Sequence, residues 1–204
     1  MNFKNSVCLI LGGGKSSRMG QDKANLRFIY KNREISLVNF LCQKLKPIFH
    51  EIYFCAKNKP SDLECEFLKD DYEYFHPING LKTFKKHTEI NSKNLKRVFL
   101  KIHEINSVFV IAVDFVNIKK SAIKKLFYKH KRKQKSVVAK SIKTHFLCGF
   151  YLLSDFKYLD ELDENCKIRD FFIKSKALTL SFKNDKTFFN MNSKDDYKIF
   201  LNIK

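Results

Sequence analysis

The stretch that most constrains the fold is Ser6–Leu11, SVCLIL, which runs straight into Gly12, Gly13 and Gly14. A short, continuous, partly β-branched apolar run that stops at glycine has the form of a fully buried strand of a parallel sheet. The glycine loop then leaves the carboxyl end of that strand. Glycines leave backbone N–H groups open to a close ligand, and Arg18 and Lys23 beyond them suit an anion. The pattern predicts a site for a phosphate chain.

The remaining chain alternates in βαβ order. Residues 24–30 can extend and residues 31–34 read as a turn. Ser36 then stands as the N-cap of a helix with Leu37, Phe40, Leu41 and Leu45 on one face. Residues 51–56 form a second short strand, residues 92–103 an amphipathic helix, residues 107–113 the strongest buried strand, and residues 119–131 another helix. Strands are expected at 135–139, 146–153 and 177–182, with helices at 155–163, 168–175 and 193–202. The expectation is an α/β fold, a Rossmann-like three-layer α/β/α arrangement on a mostly parallel sheet, with ligand at the carboxyl ends of the strands. Three prolines and six glycines leave no linker, and 204 residues can bury one sizeable core, so residues 1–204 are expected to form a single domain.

A formal net charge of +19 suggests nucleic acid, anionic lipid or an anionic substrate as partner. It is equally what a Lys-, Asn-, Phe- and Ile-rich composition of an AT-rich genome produces, with lysines solvated on every helix face. The cluster from Lys129 to Lys135 follows a helix and suits its C-terminal end. Six cysteines, Cys8, Cys42, Cys55, Cys65, Cys148 and Cys166, show neither a CxxC pair nor zinc-ligand spacing. They read as small apolar residues in a reducing compartment. No apolar run has the length of a signal peptide or of a membrane span, so a cytoplasmic chain is expected.

The glycine loop lacks the Gly-Lys-Ser/Thr ending of a P-loop and the GxGxxG of a dinucleotide fold. It does resemble, at every fixed position, the nucleotidyltransferase signature LxGGxSxRMGxDKxxL, met here by Leu11, Gly13, Gly14, Ser16, Arg18, Met19, Gly20, Asp22, Lys23 and Leu26. Its physics is coherent: backbone amides cradle a triphosphate while Arg18 and Lys23 neutralise charge on the transferred and departing phosphates. A second constellation ends the strand of residues 107–113 in Asp114. Taken alone, an Asp there suits a cap or a turn. Downstream of a triphosphate loop it becomes the candidate ligand for Mg²⁺.

Within that superfamily the chain is most similar to the molybdenum cofactor guanylyltransferases, nearly end to end. The likeness includes Leu68-Lys-Asp70 followed by His76-Pro-Ile-Asn-Gly80, Asp114 at a strand end, and the run from Phe189 through Asn190, Met191 and Asn192 to Asp196. The resemblance implies a nucleotide-diphospho-sugar transferase type of fold. It implies a reaction that moves GMP from GTP to molybdopterin or the molybdenum cofactor, releasing pyrophosphate with Mg²⁺ as cofactor. Arg18, Lys23 and Asp114 would be catalytic, with Asp114 the metal ligand. Leu11, Gly12, Gly13, Gly14, Ser16, Lys23, Asp70, Gly80 and Asp114 would bind nucleotide, Gly13 and Gly14 facing the purine and Asp70, or Asp71 one step along, the guanine or ribose. Asn190 and Asn192 would face molybdopterin, or else form a polar turn before a last helix capped by Ser193. His76 and His145 are further candidates to line the cleft.

The family also implies transient contact with upstream cofactor-biosynthesis proteins and acceptor molybdoenzymes. Rival readings are a molybdopterin cytidylyltransferase or sugar-phosphate nucleotidyltransferase, and, from another class, a basic nucleic-acid-binding protein, which lacks any recognisable nucleic-acid motif here. The chain departs from the family pattern where the second strand ends Cys55-Ala-Lys57-Asn58 rather than Asn-Ala-Asn. It also lacks the proline after Asp114, has His145-Phe-Leu-Cys-Gly149 in place of a Pro-Leu segment, and carries Lys194 for a proline. These changes touch the rim of the site rather than the glycine loop.

Overall fold

Strand β1 (Ser6–Leu11) is buried along its whole length, and every second side chain goes to a different layer. The structure, a computed structural model, describes residues 3, 6–12, 23–74, 76–93, 105–163, 166–183 and 185–202. β1 pairs in parallel with β4 (Ile52–Ala56) on one side and β6 (Ser107–Ala112) on the other. With β5 (Glu66–Lys69), β7 (Val137–Lys140), β8 (Thr144–Leu152) and β9 (Leu178–Ser181) they make a seven-stranded sheet in the order β5-β4-β1-β6-β8-β7-β9. Only β8 runs against its neighbours, β6 and β7.

Cys8 and Ile10 face a layer built on α1 (Leu37–Leu45) and α3 (Lys120–Lys133), whose Leu37, Leu41, Ile123 and Leu126 share their core. Val7, Leu9 and Leu11 face the other layer, where Ile78, Leu81 and Phe84 of α2 (Pro77–Lys93) meet Phe171 of α4 (Ile168–Lys174). Both faces of the sheet are therefore covered, the condition a parallel sheet needs to bury its apolar strands. The last helix, α5 (Lys194–Asn202), sends Phe200 into the first core, edge-on to Phe28 at 5.1 Å. Phe28 lies in a two-stranded ribbon, β2 (Arg27–Tyr30) with β3 (Arg33–Ser36).

The order of elements follows the alternation read from the sequence, with local corrections. Extended backbone starts only at Arg27, because Lys23–Asn25 forms a 3₁₀ turn. The expected turn at 31–34 tightens to Lys31 and Asn32, both with positive φ, and Arg33 already belongs to β3. Ser36 holds the N-cap position of α1, but its hydroxyl caps nothing and is buried without a partner.

Strand β5 and most of α2 escaped the periodicity. α2 opens at Pro77, a favoured first helical residue, long before the expected start at 92, and the interior Gly80 masks it. Of the expected helix at 92–103, residues 94–103 lie outside the described residues. The helix expected at 155–163 is a 3₁₀ segment, Leu153–Leu159. Cys42 and Cys65 bring their sulfurs to 3.0 Å, a meeting that their sequence spacing does not announce.

Candidate functional site

The site is assembled where β1, β4, β5 and β6 end together. At the end of β1, Gly12 donates its N–H to Cys55 O at 2.9 Å, and Val113 N–H donates to Leu11 O at 3.0 Å. The backbone pairing of β1 with both neighbours thus continues to the last residue before the glycine loop and to the residue before Asp114. Glycine is required at position 12, since a Cβ there would lie 2.3 Å from the Phe54 ring. Gly80 lets α2 approach the same strand end, where a Cβ would meet Leu11 Cδ2 at 2.6 Å. Gly13, Gly14, Ser16 and Arg18 lie outside the described residues.

The chain returns at Lys23, on the 3₁₀ turn anchored by the buried Ala24. Lys23 Nζ lies 3.3 Å from Asp114 Oδ2 and donates to Asn192 Oδ1 at 2.8 Å. Three residues separated widely in sequence therefore meet at one point. The carbonyl of Asp114 accepts the Met191 N–H at 3.1 Å, which ties the segment of Asn190 and Asn192 to the end of β6.

The second carboxylate oxygen of Asp114, Oδ1, is buried with no hydrogen-bond partner among the described residues, and so is Asn190 Oδ1. Orphaned acceptors of this kind cost stability unless another group supplies the missing charge or donor. Burial raises the Asp114 carboxyl above the usual range, against the pull of Lys23 and, more weakly, of Lys143 on the turn between β7 and β8. A carboxylate with one free, desolvated oxygen beside a lysine is a fitting ligand for a hard divalent cation brought in with phosphates. Among the described residues no group of three or more His, Cys, Asp or Glu is gathered for a metal.

Asp70 follows β5. Its N–H donates to Ala56 O at 2.9 Å, and its carboxylate accepts the Tyr72 N–H at 3.1 Å. It is 5% exposed, whereas Asp71 faces solvent in a pair with Lys69. Burial raises the Asp70 carboxyl despite the Tyr72 N–H and the nearby Lys57.

His76 does not line the cleft as a free base: its Nδ1 accepts the Ile78 N–H at 3.3 Å and so caps α2. Burial lowers its pKa. His145 is buried, stacked on Phe188 with centroids 5.0 Å apart, its Nε2 2.7 Å from Ser141 Oγ. Sequence reasoning noted Lys57 only as a departure from the family pattern and gave Lys143 no role, because an exposed lysine in a lysine-rich chain carries no distinguishing pattern. Nor did it give Asp196 a role, although that carboxylate holds the Asn192 N–H at 2.9 Å.

Residues 8–178 match the family model of the MobA-like NTP transferase domain. A protein of Campylobacter jejuni subsp. doylei named molybdenum cofactor guanylyltransferase is 32% identical over 206 aligned positions, covering 98% of this chain and 97% of its own. The crystal structure of molybdopterin-guanine dinucleotide biosynthesis protein A from Archaeoglobus fulgidus has a TM-score of 0.72 at 21% identity, with 97% of each chain covered. A 4-diphosphocytidyl-2C-methyl-D-erythritol synthase reaches 0.66 at 7% identity over 98% of each chain. The two structures carry the fold, which is the nucleotide-diphospho-sugar transferase type expected from the sequence.

Proposed function

This chain belongs to the MobA-like NTP transferase family, and from that premise we propose that it transfers GMP from GTP to molybdopterin, releasing pyrophosphate. The observation that carries the reading is the meeting of Lys23, Asp114 and Asn192 beside the carboxyl ends of β1 and β6. A terminal phosphate oxygen of molybdopterin attacks the α-phosphorus of GTP, the new P–O bond forms as the bond to the β-phosphate oxygen breaks, and pyrophosphate departs. A phosphate monoester is already ionised near neutral pH, so no general base is needed. The chain's task is to hold the two phosphates in line and to meet the charge that develops.

In that reading the loop amides of Gly13 and Gly14 cradle the triphosphate, and Arg18 and Lys23 face its anionic oxygens. Asp114 would hold Mg²⁺, which would supply further positive charge against the phosphates. Asp70, the inward one of its pair, accepts from guanine or ribose, and Asn190 offers its unpartnered amide oxygen to the acceptor half of the cleft. The reading treats residues 1–204 as one catalytic domain working in the cytoplasm, with passing contacts to proteins that deliver molybdopterin and receive the product. Among the described residues no helix is long and apolar enough to cross a membrane.

Calorimetric titration with GTP and Mg²⁺ tests it. The wild type is expected to bind GTP in preference to CTP and UTP, and Lys23→Ala and Asp114→Ala to lose at least tenfold in affinity, as expected when a charge-assisted contact is removed. A preference for CTP or UTP would hand the site to another base. Binding indifferent to both substitutions would overturn the assignment, and tight, steeply salt-dependent binding of nucleic acid without GTP would favour the rival class.

A further inference from the structure

Helix α5 begins on a reciprocal cap. Ser193 Oγ accepts the Asp196 N–H at 3.1 Å, and Asp196 Oδ2 accepts the Ser193 N–H at 2.8 Å, the pairing that a Ser-x-x-Asp sequence encodes. The same carboxylate oxygen takes a second donor, the Asn192 N–H, at 2.9 Å. A helix cap does not require that bond. Its effect is on Asn192, whose side-chain oxygen accepts from Lys23 at 2.8 Å, a shorter contact than the 3.3 Å from Lys23 to Asp114.

We infer that Asp196 is a positioning residue for Lys23: it fixes the backbone of Asn192 so that the amide oxygen holds the lysine ammonium beside Asp114. The choice of groups fits the task. A neutral amide oxygen orients an ammonium without cancelling its charge, which stays available to an anionic ligand. The carboxylate stands one residue further back, where it anchors the loop without pairing directly with Lys23. Partial burial works against its ionisation, but the N–H groups of Asn192 and Ser193, with Lys23 beyond, hold it below the usual carboxylate range. The Met191 N–H on Asp114 O fastens the other end of the segment, so the loop is gripped on both sides of Asn192. The inference rests on the reading of Lys23 as a cation for the nucleotide phosphates.

The test uses the full chain. Ser193→Ala removes the cap hydroxyl and leaves both bonds to the Asp196 carboxylate, Asp196→Ala removes those two bonds and leaves the hydroxyl on the residue-196 N–H, and Asp196→Asn keeps an acceptor oxygen. Ser193→Ala and Asp196→Ala are both expected to lower the melting temperature, as lost caps do. Only Asp196→Ala should weaken binding of GTP with Mg²⁺, by roughly threefold to tenfold, the range of coupling between residues in one network. Asp196→Asn should recover part of the loss. In the ligand-free protein, the effects of Lys23→Ala and Asp196→Ala on unfolding should be non-additive. Wild-type GTP affinity in Asp196→Ala, or strict additivity in the ligand-free cycle, overturns the inference. Should the wild type bind no GTP, the proposed function falls, while the ligand-free cycle still decides whether Asp196 acts through Asn192 on Lys23.

Discussion

Lys44 illustrates how one side chain inherits its chemistry from its surroundings. It lies on α1, and its ammonium reaches under the chain beyond β6 to donate to Val116 O at 2.8 Å. Burial, with Lys119 nearby, pushes its pKa down to about 8 from the ordinary 10.5. Between those two values the unfolded chain keeps a proton that the folded chain has released, so this group makes stability rise with pH across that window. Below about pH 8 both states are protonated and the folded state carries the full cost of the partly buried charge. Lys44→Met retains the stem and removes the charge. In urea unfolding at pH 7 and at pH 9.5, the wild type should gain on the variant by about 1 kcal/mol as pH rises, after allowance for solvent screening. An unchanged gap between the two proteins would show that Lys44 does not titrate there.

At the scale of elements, the end of α4 is a Schellman motif made without glycine. Ala177 N–H donates to Phe172 O at 3.3 Å and Lys176 N–H to Ile173 O at 3.0 Å, with Lys176 at φ 48°. A lysine in the left-handed region is strained where glycine is not. Lys176→Gly is expected to stabilise the protein by about 1 kcal/mol, a rise of about 2–4 °C in melting temperature for a chain of this size. A fall in a thermal melt would mean that the lysine side chain makes up for its backbone.

Elements also differ in how plainly they are written. β1, β6, α3 and α5 were legible because their apolar runs or faces are long and clean. β5 and α2 were not, since Glu66–Lys69 is a four-residue edge strand and the helix opens with Pro77 and Gly80. The same division runs through the site. Lys23 and Asp114 stand out within motifs with a role to match, whereas Asp196, also within a motif, gains a role only once its carboxylate is seen on the backbone of Asn192.

For the whole molecule, charge is the dominant long-range term. Residues 115–154 contain no Asp or Glu, although they include all of α3, β7 and β8. Within the described residues no ion pair joins that window, and apart from the largely buried Lys23 with Asp114 the pairs elsewhere, such as Arg27 with Glu34 and Asp62, lie at the surface. Surface pairs contribute little, while repulsion summed over a net charge of +19 opposes compaction. Raising sodium chloride from about 10 mM to about 150 mM shortens the screening length from roughly 30 Å to 8 Å, so the melting temperature should rise by a few degrees. A fall with salt would mean that the surface pairs outweigh the repulsion. The excess of lysine needs no nucleic-acid partner to account for it, since solvent accommodates lysines on the helix faces.

What the sequence by itself determined is the set of elements that follow from local periodicity and the chemistry concentrated in consecutive residues: a buried strand, a glycine loop and a carboxylate at a strand end. Those signals are local, because apolar spacing and turn chemistry act over a few residues. The tertiary structure alone decided which distant residues share the site. The register of β1 with β6 pairs Leu11 with Ala112, two residues before Asp114, and the return of the chain at α5 brings Asn192 to Lys23. Those contacts are set by sheet order and by the burial of Phe200 and Met191, sums over the whole core that no short stretch of sequence contains.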